Sequence, residues 1–410
     1  MVVLYNLFIQ ILWWAIKVYS FFNPKAQMWI QGRKNWKLNL KKNVPRQGKI
    51  VWIHCASLGE FEQGRPIVEN LKQSFPEYFV LLTFYSPSGY EIRKDYSQAD
   101  YITYLPLDTP SNAEYFVSTV KPQWAIFIKY EFWYQFLHTL NKYHIPTFLV
   151  AAVFRPNQIF FKWYGGFFRQ IPFLFTEIFV QNAKSKDLLQ KVGYLKTTVL
   201  GDTRIDRVIA IANQVQPDQR ILEFIGKRKV LIAGSSWPPE EKILLHWIEK
   251  VNLKEWCLIL APHQVTPQHI QKIKDQFKHY YLTTYTQGIN SSPSDILLID
   301  TIGILSGLYQ VGTIAFIGGG FGKSIHNILE PAAFSIPIIF GPNYHKFIEA
   351  QTLIATKGAF EVKNELTFNR IFVKLSQKGR YEKAQKAVHN YIQEGKGATA
   401  KLIHYLIKHR

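Results

Sequence analysis

The sequence predicts an α/β protein made of two Rossmann-like, doubly wound lobes preceded by a membrane-associated helix, and three observations carry that expectation. A chain of 410 residues, 47% of them hydrophobic, has the material for two cores of roughly 150 to 200 residues each. Short apolar runs alternate with stretches of helical spacing, the rhythm of a parallel sheet with crossover helices. The first residues, Val2 to Ile16, carry no charged side chain. The expected boundaries are residues 1–24 for the anchor, 25–208 and 209–388 for the lobes, and 389–410 for a terminal helix that could return to the first lobe.

The apolar run from Val2 to Ile16 is short of the roughly 20 residues a spanning helix needs, although Lys17 could snorkel and extend it to Phe22. An interfacial position therefore fits better than a full span, and a buried helix is the plain alternative. No cleavage site follows. Lys25, Arg33, Lys34, Lys37, Lys41, Lys42, Arg46 and Lys49 come instead, with no acidic residue before Glu60, a stretch suited to anionic headgroups on the cytoplasmic side.

In the first lobe, Lys49 to His54 reads as a buried strand, Phe61 to Ser74 as a helix, and Phe79 to Phe84 as a second strand ending in a turn at Ser86 to Gly89. Trp124 to Ile128 and Thr147 to Val150 continue the series. After a polar, helical stretch from Asp206 to Arg228, the second lobe offers Lys229 to Ala233, Cys257 to Ala261, Ile296 to Asp300, Thr313 to Ile317 and Ile336 to Phe340. Tyr381 to Arg410 reads as helical and ends basic. Facing lobes of this kind would gather their strand ends around one cleft.

Lys and Arg total 49 against 29 Asp and Glu, which favours polyanionic partners without choosing among them. The only cysteines, Cys55 and Cys257, lack disulfide or zinc-ligand spacing and fit a reducing compartment. No third ligand stands at metal spacing from His263 and His326, and no D-x-D pair stands at a strand end, so metal independence is expected.

Three constellations could carry chemistry. His54-Cys55-Ala56-Ser57-Leu58-Gly59-Glu60 leaves a strand through small residues and sets a carboxylate at a helix start, where it could accept a proton from a sugar hydroxyl. The local pattern alone fits a helix cap better than a base. In the second lobe Gly318-Gly319-Gly320-Phe321-Gly322 follows a strand and could present amides to a phosphate, as could Ser235-Ser236 after Gly234, although either could be a structural turn. The dinucleotide pattern G-x-G-x-x-G is not met, since Lys323 or Ser324 stands where its third glycine belongs. Asn327 and Glu330, three apart on an expected helix from Asn327 to Phe334, could grip a ribose diol.

Taken together, HCASLGE, KYEFW at Lys129 to Trp133, GDTRIDR from Gly201, GSSWPPEE from Gly234, APH at Ala261, and FIGGGF followed by HNILEPAA resemble the 3-deoxy-D-manno-octulosonic acid (Kdo) transferase family, lipid A-specific, over nearly the whole chain. The resemblance implies a GT-B glycosyltransferase fold, CMP-Kdo as donor, a lipid A precursor (lipid IVA) as acceptor, and inverting, metal-independent transfer in lipopolysaccharide core biosynthesis. It implies no cofactor, an anionic membrane surface as partner rather than nucleic acid, and a place on the cytoplasmic face of the inner membrane. In the family, the carboxylate matching Glu60 is the catalytic base, and the residues matching Glu131 and Arg204 stabilise the transition state. CMP is held there by segments matching Pro262-His263, Ile302-Gly303-Ile304 and Asn327-Ile328-Leu329-Glu330. This chain departs from the family's frequent arginine at His263 and glutamate at Ile304. Another GT-B nucleotide-sugar transferase or epimerase, or a noncatalytic basic lipid-binding protein, are the competing readings.

Overall fold

The computed structural model describes residues 1–288 and 294–408. The expected helix to Arg410 therefore has its last two positions outside the described residues. The chain divides into two units, Met1–Asp206 with the tail from Lys396, and Arg207–Gly395.

The first unit holds one parallel sheet of seven strands: β1 Ile50–Cys55, β2 Phe79–Phe84, β3 Tyr101–Tyr104, β4 Trp124–Ile128, β5 Thr147–Ala152, β6 Glu177–Val180 and β7 Thr197–Val199, in the order β3-β2-β1-β4-β5-β6-β7. Every residue of β1, β4 and β5 is buried, the continuous apolar pattern of strands covered on both faces. Pleating sends Trp52, Ala125 and Phe127 to one face with the helices Pro110–Val120 and Tyr134–Lys142, while Val51, Ile53, Trp124 and Ile126 face the helix Leu58–Ser74. Ala398, Leu402 and Leu406 of the last helix, Ala398–Lys408, join that second layer. Asp206 fixes the start of this helix by accepting the amides of Gly397 at 2.5 Å and Thr399 at 2.7 Å, a charged cap of the kind worth about 1 kcal/mol.

Ahead of the sheet, the helix Val2–Tyr19 is long and apolar enough to cross a bilayer. It is nonetheless docked along one side. Ile9 is buried, the Tyr5 hydroxyl donates to Asp108 at 2.5 Å, and the Gln135 amide donates to Asn6 at 2.6 Å. Leu4, Leu7, Phe8, Ile11, Trp14 and Val18 remain exposed.

The second unit repeats the plan with β8 Lys229–Ser236, β9 Trp256–Pro262, β10 Leu282–Thr284, β11 Ile296–Leu298, β12 Ile314–Ile317, β13 Ile338–Phe340 and β14 Ala359–Glu361, ordered β10-β11-β9-β8-β12-β13-β14 and all parallel. Strand order reverses between β1 and β4 in the first sheet and between β8 and β12 in the second. Those reversals are where open α/β sheets leave a crevice at their C-terminal strand ends.

Candidate active site

The first unit's reversal point carries two carboxylates. After β1 the chain turns at Ala56 and Ser57 into the helix Leu58–Ser74, and Glu60 stands in its first turn, half-buried, accepting a hydrogen bond from the Ser57 hydroxyl. One turn on, a Cβ at Gly64 would sit 2.9 Å from the Cys55 sulfur and 3.1 Å from Ile128, so glycine there lets the helix lie close against β1 and β4. Glu131 follows β4 through Lys129, which has φ of 75°.

Glu131 is 7% exposed, and its Oε2 accepts from the Trp133 indole at 2.6 Å and lies 3.2 Å from Nε2 of the fully buried His54. On its other side, His54 Nδ1 lies 2.9 Å from the Thr83 hydroxyl, which accepts the Trp52 indole N–H at 2.8 Å. An indole N–H can only donate. The Thr83 hydroxyl proton can serve Nδ1 or the Ile53 carbonyl oxygen at 3.4 Å, and a proton on Nε2 is what a hydrogen bond to the Glu131 carboxylate, which only accepts, requires. Burial pushes the Cys55 thiol well above its usual range, and the charges of Glu60 and then Glu131 push it further, so both carboxylates lie near the end of β1.

Arg204 comes to the same region from the far edge of the sheet. Thr203 donates to the Gln63 carbonyl at 2.6 Å, tying the segment to the helix that carries Glu60. The Arg204 guanidinium pairs with Asp202, Nη2 to Oδ2 at 2.6 Å and Nε to the same carboxylate at 3.0 Å. Its charge is thus already partly neutralised.

In the second unit, of the glycines expected to form a phosphate cradle at Gly318, Gly319 and Gly320, Gly318 has its amide already engaged within the fold. The Gly318 amide donates to the Gly234 carbonyl at 2.9 Å, and the Gly322 amide to the Gly319 carbonyl at 3.0 Å. Burial holds the Glu240 carboxyl above its usual range, and backbone amides, its own first and then those of Phe321, Trp237 and Gly319, pull it back; the Trp237 amide donates to it at 3.2 Å and that of Phe321 at 3.5 Å. The glycines serve close backbone approach. A Cβ on Gly318 would stand 2.0 Å from the Ser235 carbonyl oxygen, and one on Gly320 2.6 Å from the Gly341 nitrogen. Ser236 is likewise spent, 1% exposed with its hydroxyl on Glu241 at 3.2 Å, and Ser235 takes the turn at φ of 53°.

The expected helix from Asn327 to Phe334 shrinks to Leu329–Ala333, too short to supply the helix-end charge that a phosphate would use. Asn327 precedes it in an Asx turn, its Oδ1 accepting from the Leu329 amide at 3.1 Å and its Nδ2 donating to Glu330 at 2.9 Å. Glu330 also accepts from Ser306 at 2.8 Å, which draws the segment after Gly303 and Ile304 toward the Asn327–Glu330 pair. Gly303, with φ of 95°, and Ile304 line a cavity of about 340 Å³ together with Asp218, Tyr285 and Ser306. Ile302 is exposed. Ile328 and Leu329 are buried and hold the turn in place.

Pro262 ends β9, and His263 follows it into an aromatic stack that composition alone does not reveal. The Trp237 ring lies 4.7 Å from His263 at 23°, His263 lies 4.4 Å from His326 at 25°, and the Trp237 N–H donates to His326 Nε2 at 3.0 Å. Burial, reinforced by His263, lowers His326 to about 4, so this ring is neutral and free to accept. Three adjacent strands, β9, β8 and β12, deliver the three rings. Sequence reasoning singled out neither Trp237 nor His326 as a site residue, nor His54 in the first unit. The available signal was that His54 lies within the apolar strand β1 and Trp237 just past β8, whereas His326 lies well beyond β12, after the glycine turn.

Residues 32–207 match the family model described as 3-Deoxy-D-manno-octulosonic-acid transferase (kdotransferase). The chain is 28% identical over 358 residues to the 3-deoxy-D-manno-octulosonic acid transferase of Rickettsia prowazekii, covering 84% of this chain and 76% of that protein. It is 29% identical over 338 residues to the enzyme of that name from Aquifex aeolicus, covering 80% and 87%. Among solved structures, the UDP-GlcNAc 2-epimerase of Neisseria meningitidis bound to UDP-GlcNAc superposes with a TM-score of 0.60 at 16% identity, over 88% of this chain and all of that one. At that identity the likeness is one of fold, and it marks both units as GT-B-type α/β sheets.

Proposed function

Because this chain belongs to the Kdo transferase family and is a glycosyltransferase, we propose that it moves Kdo from CMP-Kdo to a lipid A precursor of the lipid IVA kind during lipopolysaccharide biosynthesis. The observation that carries this reading is the Glu60 carboxylate, half-exposed at the end of β1 beside the strand reversal, in a chain matching the family across residues 32–207.

In this reading Glu60 removes the proton from an acceptor hydroxyl, and the oxygen attacks the anomeric carbon of Kdo. The bond from that carbon to the CMP phosphate breaks, CMP leaves with the electron pair, and the configuration inverts. Glu131, held by His54 and Trp133, presents a fixed negative charge to the positive character that builds on the sugar in such a step. Arg204 balances charge from its pairing with Asp202. The second unit supplies the nucleotide pocket. Asn327 and Glu330 grip the ribose, with Pro262, His263 and the Ile302–Ile304 segment around the rest of CMP. Protein cations rather than a metal ion neutralise the leaving group.

The exposed apolar side of the helix Val2–Tyr19 and the basic stretch that follows it would bring the enzyme to the cytoplasmic face of the inner membrane, where an amphipathic acceptor resides. The deciding experiment is product mass after incubating the full chain with CMP-Kdo and lipid A precursor in EDTA. Addition of Kdo mass is expected. A folded protein that adds none, with or without divalent metal, overturns the reading, and activity restored only by metal overturns metal independence.

A further inference from the structure

His326, next in sequence to Asn327, lines a cavity of about 510 Å³ together with Trp237, Pro238, Pro239, Lys323 and Ser324. The volume lies within the roughly 300–1,000 Å³ of ordinary ligand pockets. One wall is flat and apolar, formed by the Trp237 ring and the two prolines after it. The ring's tilt is fixed by its stack on His263 and its hydrogen bond to His326. Lys323 and Ser324 belong to the turn after the glycine run, and the Lys323 side chain is exposed.

The chemistry of these walls narrows the ligand. An aromatic face is the negative side of its quadrupole and suits the weakly positive C–H face of a sugar ring, not a bare phosphate. An ammonium on a flexible stem is a point charge that pairs with a carboxylate or a phosphate. His326 adds no charge, being held neutral by burial. A ring with C–H bonds on one face and a carboxylate at its edge satisfies the platform and the cation together. His326, which lines the cavity, is the residue next to Asn327, so a nucleoside held at the Asn327–Glu330 pair would be bound by a segment continuous with the cavity wall.

Resting on the transfer reading, we infer that this cavity is the donor-sugar subsite, with Trp237 beneath the C–H face of the 3-deoxyulosonic acid and Lys323 paired with its carboxylate. Donor choice then lies partly in this contact, because a neutral nucleotide sugar leaves Lys323 without a counter-charge.

The test compares CMP-Kdo with CMP alone on the full chain. In Lys323→Ala, KM for CMP-Kdo rises ~10-fold or more while inhibition by CMP shifts less than ~3-fold, the scale of one charge-assisted hydrogen bond. Lys323→Arg restores most of the loss, and Trp237→Phe, which keeps a ring, raises KM less than Trp237→Ala. Because Lys323 is exposed, its variants retain the wild-type melting temperature. An unchanged KM for CMP-Kdo in Lys323→Ala overturns the subsite, and so does equal weakening of CMP and CMP-Kdo, which would put Lys323 on the phosphate. Either result leaves the transfer reading standing. That reading falls separately if the wild-type protein transfers nothing from CMP-Kdo, and the subsite falls with it.

Discussion

His54 Nε2 lies 3.2 Å from Glu131 Oε2, although 77 residues separate them, because β1 and β4 are neighbours at the reversal of the first sheet. Removing the imidazole in His54→Ala leaves the Glu131 carboxylate with the Trp133 indole and without its second buried contact. A lost buried partner of this kind costs about 1–3 kcal/mol. The turnover rate falls ~10- to 100-fold with a smaller change in KM, read by product mass beside a circular dichroism spectrum. Wild-type turnover in a folded His54→Ala protein would detach this pair from the chemistry.

Glu60→Gln removes the proton acceptor and keeps the shape, so kcat falls by about 10²- to 10⁴-fold, the range for losing a general base. Ser57→Ala removes only the hydroxyl that donates to Glu60, and its loss of rate is several-fold smaller. Single-turnover measurement with saturating donor separates the two, and near-normal kcat in Glu60→Gln would reject the base.

Gly318→Ala and Gly320→Ala force a methyl to within 2.0 Å and 2.6 Å of neighbouring backbone atoms. Backbone has no rotamer to yield, so each destabilises the second unit by about 1–3 kcal/mol or more. Gly322→Ala is the control, because its Cβ would meet nothing nearer than the Gly319 carbonyl oxygen at 3.6 Å. Equal melting temperatures for the three variants would mean the close approach is not real.

His326 titrates at about 4 in the folded protein, below its ordinary value near 6.5, because of burial and the neighbouring His263. Between those two pH values the unfolded chain binds more protons than the folded one, so stability rises with pH across the window. The contribution is fully present above about 6.5 and is lost as pH falls toward 4. In His326→Gln the melting temperature therefore declines less on acidification from 6.5 to 4 than in the wild type, and parallel declines would contradict the shift.

Leu7 and Ile11 are 55% and 58% exposed on the first helix. Leu7→Gln with Ile11→Gln puts two uncharged polar groups on the side turned away from Tyr5 and Ile9, without disturbing the docked contacts or adding charge that would itself attract anionic lipid. Sedimentation with anionic vesicles drops sharply while the melting temperature holds. Undiminished co-sedimentation would show that the apolar side of this helix is not what meets lipid.

The strands most visible in the sequence are those buried on both faces. IVWIHC at β1, WAIFI at β4 and WCLILAP at β9 announce themselves because continuous apolar runs bounded by turns need no partner to be recognised. The edge strands β3, β7, β10 and β14 escaped notice because each is only three or four residues long, and β3, β7, β10 and β14 all keep partly exposed positions that break the apolar run. The turn bearing Glu60 and the pair Asn327 and Glu330 were legible as local patterns, and the shortened helix after Asn327 was not, because Pro331 follows so soon after the Asx turn.

By itself, then, the order of residues determined the α/β class, the apolar first helix and which turns stand at strand ends, since periodicity and burial are properties of a dozen neighbouring residues. Tertiary structure decided how polar groups are shared out. It spent the Gly318 amide on the Gly234 carbonyl, set His54 against Glu131, and stacked Trp237 on His263 and His263 on His326. Each buried donor and acceptor must find a partner in space, and parallel crossovers bring those partners from strands far apart along the chain.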